Sequence, residues 1–440
     1  MNPQAEELNN IIQRNSPIVY DLLSKKGREI FFPKKGILAQ TADAKGKKIN
    51  ATIGIALEED GSPMRLKAIA AKIKLDPKDI FPYAPSFGKQ ELRVKWKEMM
   101  YGKNPSLAGK EISLPIVSNA LTHGLTVAAY LFINPGDKII MPDLFWGNYK
   151  LMFQNAYGAE FDLFETFDGN KFNIAGLREK LLAVGEKIIV LLNFPNNPTG
   201  YTPTDKEAAA IIEAVREAAE SGKKVLLLID DAYFGLVYKK GVYVQSLFSE
   251  LADLHENVLA IKLDGATKED YVWGLRVGFI TYGLKGGNKE LYGALENKTS
   301  GTVRGSISND SHLSQSLVYH AFSEPKYQNE KKKKFNLLRK RFKAVERVLK
   351  EHKEYKEEFI PLPFNSGYFM CVRPVKDAEK IRQILLQKYD TGVIVVDGLI
   401  RLAFSAVRTD DIPPLFANVY NACKEVYSNN NPPGNVTALT

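Results

Sequence analysis

The chain has 440 residues, 45% hydrophobic and 25% charged, with 60 Lys and Arg against 51 Asp and Glu for a formal charge of +9. Such a length buries a large core in two or three domains, and the composition excludes a disordered or fibrous chain. Two cysteines, Cys371 and Cys423, exclude a disulfide scaffold, and no apolar run reaches membrane-spanning length.

From residue 112 to 282 short apolar strands alternate with amphipathic helices. Strands are predicted at 112–117, 138–141, 160–164, 187–193, 224–230, 258–263 and 277–282. Helices are predicted at 121–132, 147–156, 174–184 (capped by Asn173) and 205–221. Continuous apolar runs between helices predict an α/β fold with a mainly parallel sheet covered on both faces. Beyond 315 the alternation stops. A helical region at 314–353 leads to 361–372 and a mixed α/β stretch ending near 427. The first 64 residues are expected to join this part as a smaller domain, 1–64 with 316–427, beside a large domain at 65–315. Residues 428–440, rich in Asn, Pro and Gly, read as a disordered tail.

The basic excess is scattered over Lys25-Lys26-Gly-Arg28, Lys34-Lys35, Lys45 to Lys48 and Lys331 to Lys334. Scatter of this kind argues against a nucleic-acid surface, and the last run reads as the solvated face of a helix. The start has neither a signal-peptide core nor a transit pattern, so a cytoplasmic protein is expected, with no membrane partner.

Three segments carry chemistry: Asn193-Phe-Pro-Asn-Asn-Pro-Thr-Gly200, Asp230-Asp-Ala-Tyr233, and Asp264-Gly-Ala-Thr-Lys268 followed by Trp273-Gly-Leu-Arg-Val-Gly278. Asn197, Asp230 and Lys268 each stand just past the carboxyl end of a predicted strand, the edge where open parallel sheets bind ligands. In this order the segments resemble the active site of a class I/II aminotransferase, a fold-type-I enzyme dependent on pyridoxal phosphate. That cofactor needs an amine for a Schiff base, a carboxylate at its ring nitrogen, donors to its phenolate oxygen and cations at its phosphate. Lys268, Asp230, Tyr233 with Asn197, and Arg276 match those needs. Asp231 competes with Asp230, and the family spacing of three residues to the tyrosine selects Asp230.

The resemblance runs from about Asn50 to Phe404. It implies a phosphate cup at Ala120, Leu121 and Thr122, ahead of the first large-domain helix. Leu121 and Gly265 depart from the small or hydroxylated residues usual in the family. Trp146 matches an aromatic residue stacked on the cofactor, with core packing as the alternative. Tyr83 matches a tyrosine that reaches the neighbouring subunit's phosphate, or else packs a turn. Arg401 matches the clamp on the substrate α-carboxylate, and Gly54 the loop covering it. Arg304, with Ser308 and Asn309 behind it, matches a segment that binds a distal carboxylate across a dimer, or lines the rim. The implied reaction is ping-pong transfer of an amino group from an amino acid, of aspartate or aromatic type, to a 2-oxo acid such as 2-oxoglutarate. A homodimer with shared sites is implied. The same fold hosts C–S lyases and aminocyclopropane-carboxylate synthases. A regulator that binds the cofactor without catalysis is disfavoured, because no helix-turn-helix pattern precedes Asn50.

Overall fold

The computed structural model describes residues 1–15, 20–21, 23, 25–29, 37–72, 74–183 and 185–428. Lys34-Lys35, the predicted helix end at 184 and residues 429–440 of the expected tail lie outside the described residues.

Seven strands form the large sheet, in the spatial order Ile116–Asn119, Val277–Gly283, Val258–Gly265, Lys224–Asp230, Lys187–Asn193, Lys138–Pro142, Glu160–Phe164. Val277–Gly283 runs antiparallel to both its neighbours, and the remaining pairs are parallel. Lys187–Asn193 and Lys224–Asp230 are buried at every position after the first, as central strands covered by helices must be. Helix Asp205–Glu220 covers them with Ala208, Ile211, Val215 and Ala218. Thr204 and Glu207 close its start in a reciprocal capping box. A second, four-stranded antiparallel sheet, Phe359–Pro361, Met370–Pro374, Leu399–Leu402 and Ile394–Val396, carries Arg401. Ile49–Asn50 pairs with Thr391–Gly392 beside it, and Gln40 Nε2 donates to the Val395 carbonyl at 2.8 Å. Earlier in the chain, the Glu29 carbonyl accepts from Asn155 Nδ2 at 3.2 Å, on the large-sheet side.

Several predicted elements are corrected. The regular ladder near 112–117 is confined to Ile116–Asn119: the Ser113 amide still donates to the Tyr282 carbonyl at 3.0 Å, but Pro115 lacks an amide and its carbonyl accepts from Arg93 Nε at 2.7 Å. The helix predicted at 147–156 contains a π-helical stretch, Lys150–Asn155. The helical region at 314–353 is two helices, His312–Phe322 and Tyr327–Glu351, separated where Pro325 cannot donate to the ladder. Helices Gln90–Lys103 and Lys289–Ser306 were not predicted. The second buries Thr299 and Ser300 with Tyr292 and Val303, so its core face carries little apolar signal. The run Lys331 to Lys334 is not solvated throughout. Lys331 and Lys334 share the spacing of buried Tyr327, Leu338 and Arg341, and they pair with Glu269 and Glu58 respectively. Among the described residues no helix is long and apolar enough to cross a membrane.

Candidate active site

Three adjacent strand ends build the site. Asn193 and Asp230 are register partners, and Asn193 Nδ2 donates to the Asp230 carbonyl at 2.8 Å. Asn193 Oδ1 accepts from the Asn197 amide at 2.9 Å, which fixes the turn carrying Asn197. On the next strand, Gly265 pairs with Gly278 across the antiparallel ladder. A Cβ on Gly265 would meet the Val277 carbonyl oxygen at 2.6 Å, and one on Gly278 would meet Ala120 Cα at 2.9 Å. This close packing leaves no room for a side chain at Gly265, and it brings the start of helix Ala120–Phe132 against the lysine strand. Ala120 takes φ 58° and donates its amide to the Arg276 carbonyl at 3.1 Å. The amides of Leu121 and Thr122 follow at a helix start, where intrahelical acceptors are lacking.

A cleft of 480 Å³ lies along these ends. It brings together Lys268, Asp230, Tyr233, Asn197 and Arg276 from the ends of the large-sheet strands, Trp146 from a loop, Ala120 to Thr122 from the start of helix Ala120–Phe132, and Gly54 and Arg401. Tyr83 and Arg304 do not line it. Tyr83 is 90% exposed, and exposed Arg304 donates from Nη1 to Ser308 Oγ at 2.9 Å.

The electrostatics of the cleft are uneven. Burial is the main influence on Lys268, and with the Arg276 cation it outweighs the pull of Asp230, bringing the amine pKa down to about 8. Its Nζ sits 5.1 Å from the Tyr233 ring centre. Burial raises the Asp230 carboxyl above its ordinary value. The Tyr149 hydroxyl, 2.6 Å from Oδ2, and the Lys268 charge act the other way. The Ala232 amide donates to its Oδ1 at 3.0 Å. Burial likewise raises the Tyr233 hydroxyl, keeping it a donor. Asp231 faces elsewhere: its Oδ2 accepts from Lys262 Nζ and Ser246 Oγ.

Arg401 is 2% exposed, and among the described residues no carboxylate pairs with it. Its Nη1 donates to Asn197 Oδ1 at 3.2 Å and its Nη2 to the Thr52 carbonyl at 3.3 Å, and its Cζ lies 4.3 Å over the Phe369 ring. Arg401 Nε, Thr267 Oγ1 and Trp273 Nε1 are buried, belong to residues lining the cleft and have no hydrogen-bond partner among the described residues. Buried donors in that state mark places for ligand oxygens. A doubly anionic ligand with an aldehyde and a protonated ring fits this donor set. Lys268 supplies an amine, Asp230 a carboxylate, and Arg276 with Thr267 and the helix start supply phosphate donors.

The sequence reading missed Tyr149, Thr267, Trp273 and Phe369. Tyr149 lies three residues after Trp146, and the two rings meet edge to face at 5.6 Å, so helical spacing from Trp146 pointed to it. Thr267 adjoins Lys268 and was legible as a hydroxyl beside the amine.

Comparison with known proteins bears on the same region. The family profile described as aminotransferase class I and II matches residues 46–417. A probable N-acetyl-LL-diaminopimelate aminotransferase of Bacillus subtilis is 28% identical over 263 residues, 59% of this chain and 61% of that protein. An aspartate aminotransferase of Sulfurisphaera tokodaii is 29% identical over 214 residues, 48% of this chain and 50% of that protein. The chain therefore spans between half and two thirds of the length of these curated relatives. In overall fold, the crystal structure of an aminotransferase from Anaerococcus prevotii superposes with a TM-score of 0.82 at 24% identity, covering 93% of this chain and 99% of that one.

Proposed function

Because the chain belongs to the class I and II aminotransferase family, we propose that it is a pyridoxal-phosphate-dependent transaminase. It moves an amino group by a ping-pong cycle from an L-amino acid to a 2-oxo acid such as 2-oxoglutarate. The observation that carries this reading is the Lys268 amine, depressed to about 8, in one cleft with Asp230 and an Arg401 that lacks an anion. Bound pyridoxal phosphate supplies the electron sink for the pair left on the substrate Cα after proton loss.

The chain's residues do the rest. Lys268 would hold the cofactor through its amine, and the same amine is placed to move the proton at the substrate Cα. Its lowered pKa keeps a useful fraction neutral near pH 7–8. Asp230, fixed by Tyr149 and the Ala232 amide, keeps a proton on the ring nitrogen. Tyr233 and Asn197 donate to the phenolate oxygen, and Trp146 covers the ring. Arg276, Thr267 and the amides of Leu121 and Thr122 bind the phosphate. Arg401 pairs with the substrate α-carboxylate under the loop at Gly54.

The reading includes two domains, 65–315 and 1–64 with 316–427, in a homodimer. Tyr83 and Arg304 are assigned to the neighbouring subunit's site, Tyr83 at the phosphate and Arg304 at a distal carboxylate. Their exposure outside their own cleft supports that assignment.

A half-reaction screen tests the proposal. Single amino acids are added to the cofactor-loaded protein, with loss of the lysine-bound cofactor's visible absorbance and formation of the 2-oxo acid both followed. Stoichiometric 2-oxo acid from one donor class, with recovery on adding 2-oxoglutarate, is expected. Release of free ammonia together with the 2-oxo acid and without lasting loss of that absorbance, or formation of a cyclised product, would make the protein a lyase or synthase. In the same screen Arg304→Ala is expected to lower kcat/KM for dicarboxylates roughly 10²-fold, the loss of one desolvated charge pair, and to spare monocarboxylates. Equal loss for both classes removes Arg304 from substrate binding.

A further inference from the structure

Glu269 and Asp270 follow Lys268 directly, are buried, and do not line the cleft. Glu269 Oε1 accepts from Lys103 Nζ at 2.6 Å, on the last residue of helix Gln90–Lys103, and from Lys331 Nζ at 2.8 Å, on helix Tyr327–Glu351. Lys331 Nζ also lies 3.1 Å from Asp270 Oδ1, which accepts from the Tyr327 hydroxyl as well. Lys331 thus bridges two consecutive carboxylates beside the lysine of the cleft. Burial would raise the Glu269 carboxyl, and the two ammonium groups outweigh it, bringing it down to about 2. Both its lysine partners therefore face a charged carboxylate throughout the neutral range.

The segment held in this way is strained. Tyr271 has φ 58° and Arg276 φ 55°, conformations that side-chain-bearing residues keep only where their surroundings enforce them. The Lys268 carbonyl accepts from the Tyr368 hydroxyl at 3.2 Å, and the Thr267 carbonyl from the Val272 amide at 3.1 Å. Those neutral bonds contribute modestly beside a charge-assisted bridge. We propose that Lys331 is a positioning residue for Lys268, bridging Glu269 and Asp270 so that the strained turn keeps the amine over the Tyr233 ring.

Helix Tyr327–Glu351 also reaches the other wall of the cleft. Lys334 pairs with Glu58, and Arg341 Nη1 donates to the Leu57 carbonyl at 2.7 Å, just after the segment that lends Thr52 to Ile55 to the cleft. One helix therefore braces both the lysine turn and the loop facing Arg401. The inference rests on the reading of Lys268 as the reactive amine, and its test has a readout independent of turnover.

That readout is the titration of Lys268 in the cofactor-free protein, followed by competitive acetylation with acetic anhydride across pH and peptide mass spectrometry. The wild-type midpoint is expected at about 8. In Lys331→Met the turn relaxes, the amine gains water, and the midpoint rises by about one unit toward the ordinary lysine value near 10.4. In the loaded enzyme kcat falls roughly 10²-fold, as for a misplaced catalytic group, with KM for the amino donor changed less than about threefold. Lys331→Arg, which keeps the charge, restores part of both. Arg93→Met, which breaks a buried pair with Glu296 at 2.9 Å, serves as the control for general loosening. If Lys331→Met does not fold, Tyr327→Phe removes one bond to Asp270 and is read in the same way for a smaller shift. A folded Lys331→Met with an unmoved Lys268 midpoint overturns the proposal, as does an equal shift in Arg93→Met. Absence of transamination with a shifted midpoint would refute the proposed reaction and leave the positioning role standing.

Discussion

Asp230 and Asp231 are consecutive and both buried, yet they serve opposite sides of one strand end. On the cleft side Asp230 is held by Tyr149 and an amide, while Arg401 Nε, Thr267 Oγ1 and Trp273 Nε1 nearby have no partner among the described residues. On the far side Asp231 pairs with Lys262, and Lys262 lies 3.3 Å from Asp264, which accepts from Trp96 Nε1 at 3.1 Å. Burial works against the Lys262 ammonium, and the two carboxylates outweigh it and hold its pKa above the ordinary lysine value. An unpartnered buried polar group costs about 1–3 kcal/mol, so several in one place are tolerable where a ligand returns the bonds. On the far side Asp231 and Asp264 share the Lys262 ammonium, so the buried charges there have partners within the chain. At this strand end the unpartnered donors line the cleft, the working face, and the ion-paired residues lie behind it as a frame, although Asp270 Oδ2 and Arg341 Nε show that unpartnered buried atoms also occur away from the cleft.

The largest expected effect falls on the working face. Lys268→Ala removes the amine that holds the cofactor and moves the proton, and transamination is expected to drop by at least about 10⁴-fold. Far-ultraviolet circular dichroism should be unchanged, because the lost group is not part of the frame. Turnover within tenfold of wild type would end the assignment of Lys268.

The aspartate pair separates the two faces directly. Asp230→Asn is expected to slow the single-turnover half-reaction roughly 10²–10³-fold, by loss of the charge at the ring nitrogen, with little change in thermal midpoint. Asp231→Asn strands Lys262 beside one remaining carboxylate and is expected to destabilise the fold by about 3 kcal/mol, the low end for breaking a buried pair. Its half-reaction should slow far less. Reversed effects, rate from Asp231 and stability from Asp230, would exchange their roles.

Sequence and structure agree best where one physical signal dominates. Lys187–Asn193 and Lys224–Asp230 are unbroken apolar runs, so their strands and the site residues just beyond them were legible. Helix Lys289–Ser306 was not, because its buried face includes Thr299 and Ser300. The strand near 112 was drawn too early, because apolar content does not reveal that Pro115 cannot pair. Lys331 was misread for the opposite reason. Four consecutive lysines read as solvent-facing by charge, whereas the helical spacing to Tyr327 and Leu338 put Lys331 and Lys334 inward, opposite carboxylates distant in sequence. Tyr149 and Thr267 carry a local signal in their spacing from Trp146 and Lys268, but only the fold brings Tyr149 to Asp230 and Thr267 into the cleft.

The smallest expected effect is a pH dependence that distinguishes a lysine of the working face from one of the frame. In the cofactor-free protein Lys268 titrates at about 8, against about 10.4 in the unfolded chain. Below pH 8 both states hold the proton, and burial of the ammonium opposes folding in full. Between pH 8 and 10.4 the unfolded chain keeps a proton that the folded protein has released, so stability from this group rises with pH. Above that window both are neutral and the gain is complete. Because the amine is partly accessible from the cleft, the gain is expected at about 1–2 kcal/mol, below the full value for such a shift. Lys268→Met lacks the titration, so the wild-type midpoint should rise relative to the variant from pH 7.5 to 9.5, and at pH 7.5 the variant should be the more stable of the two. Lys331, whose pKa the Asp270 and Glu269 charges raise against the effect of burial, should behave in the opposite sense, with Lys331→Met less stable at pH 7.5. Parallel pH profiles for wild type and Lys268→Met would show that the amine is not desolvated, and the contrast between the two faces would then rest on hydrogen bonding alone.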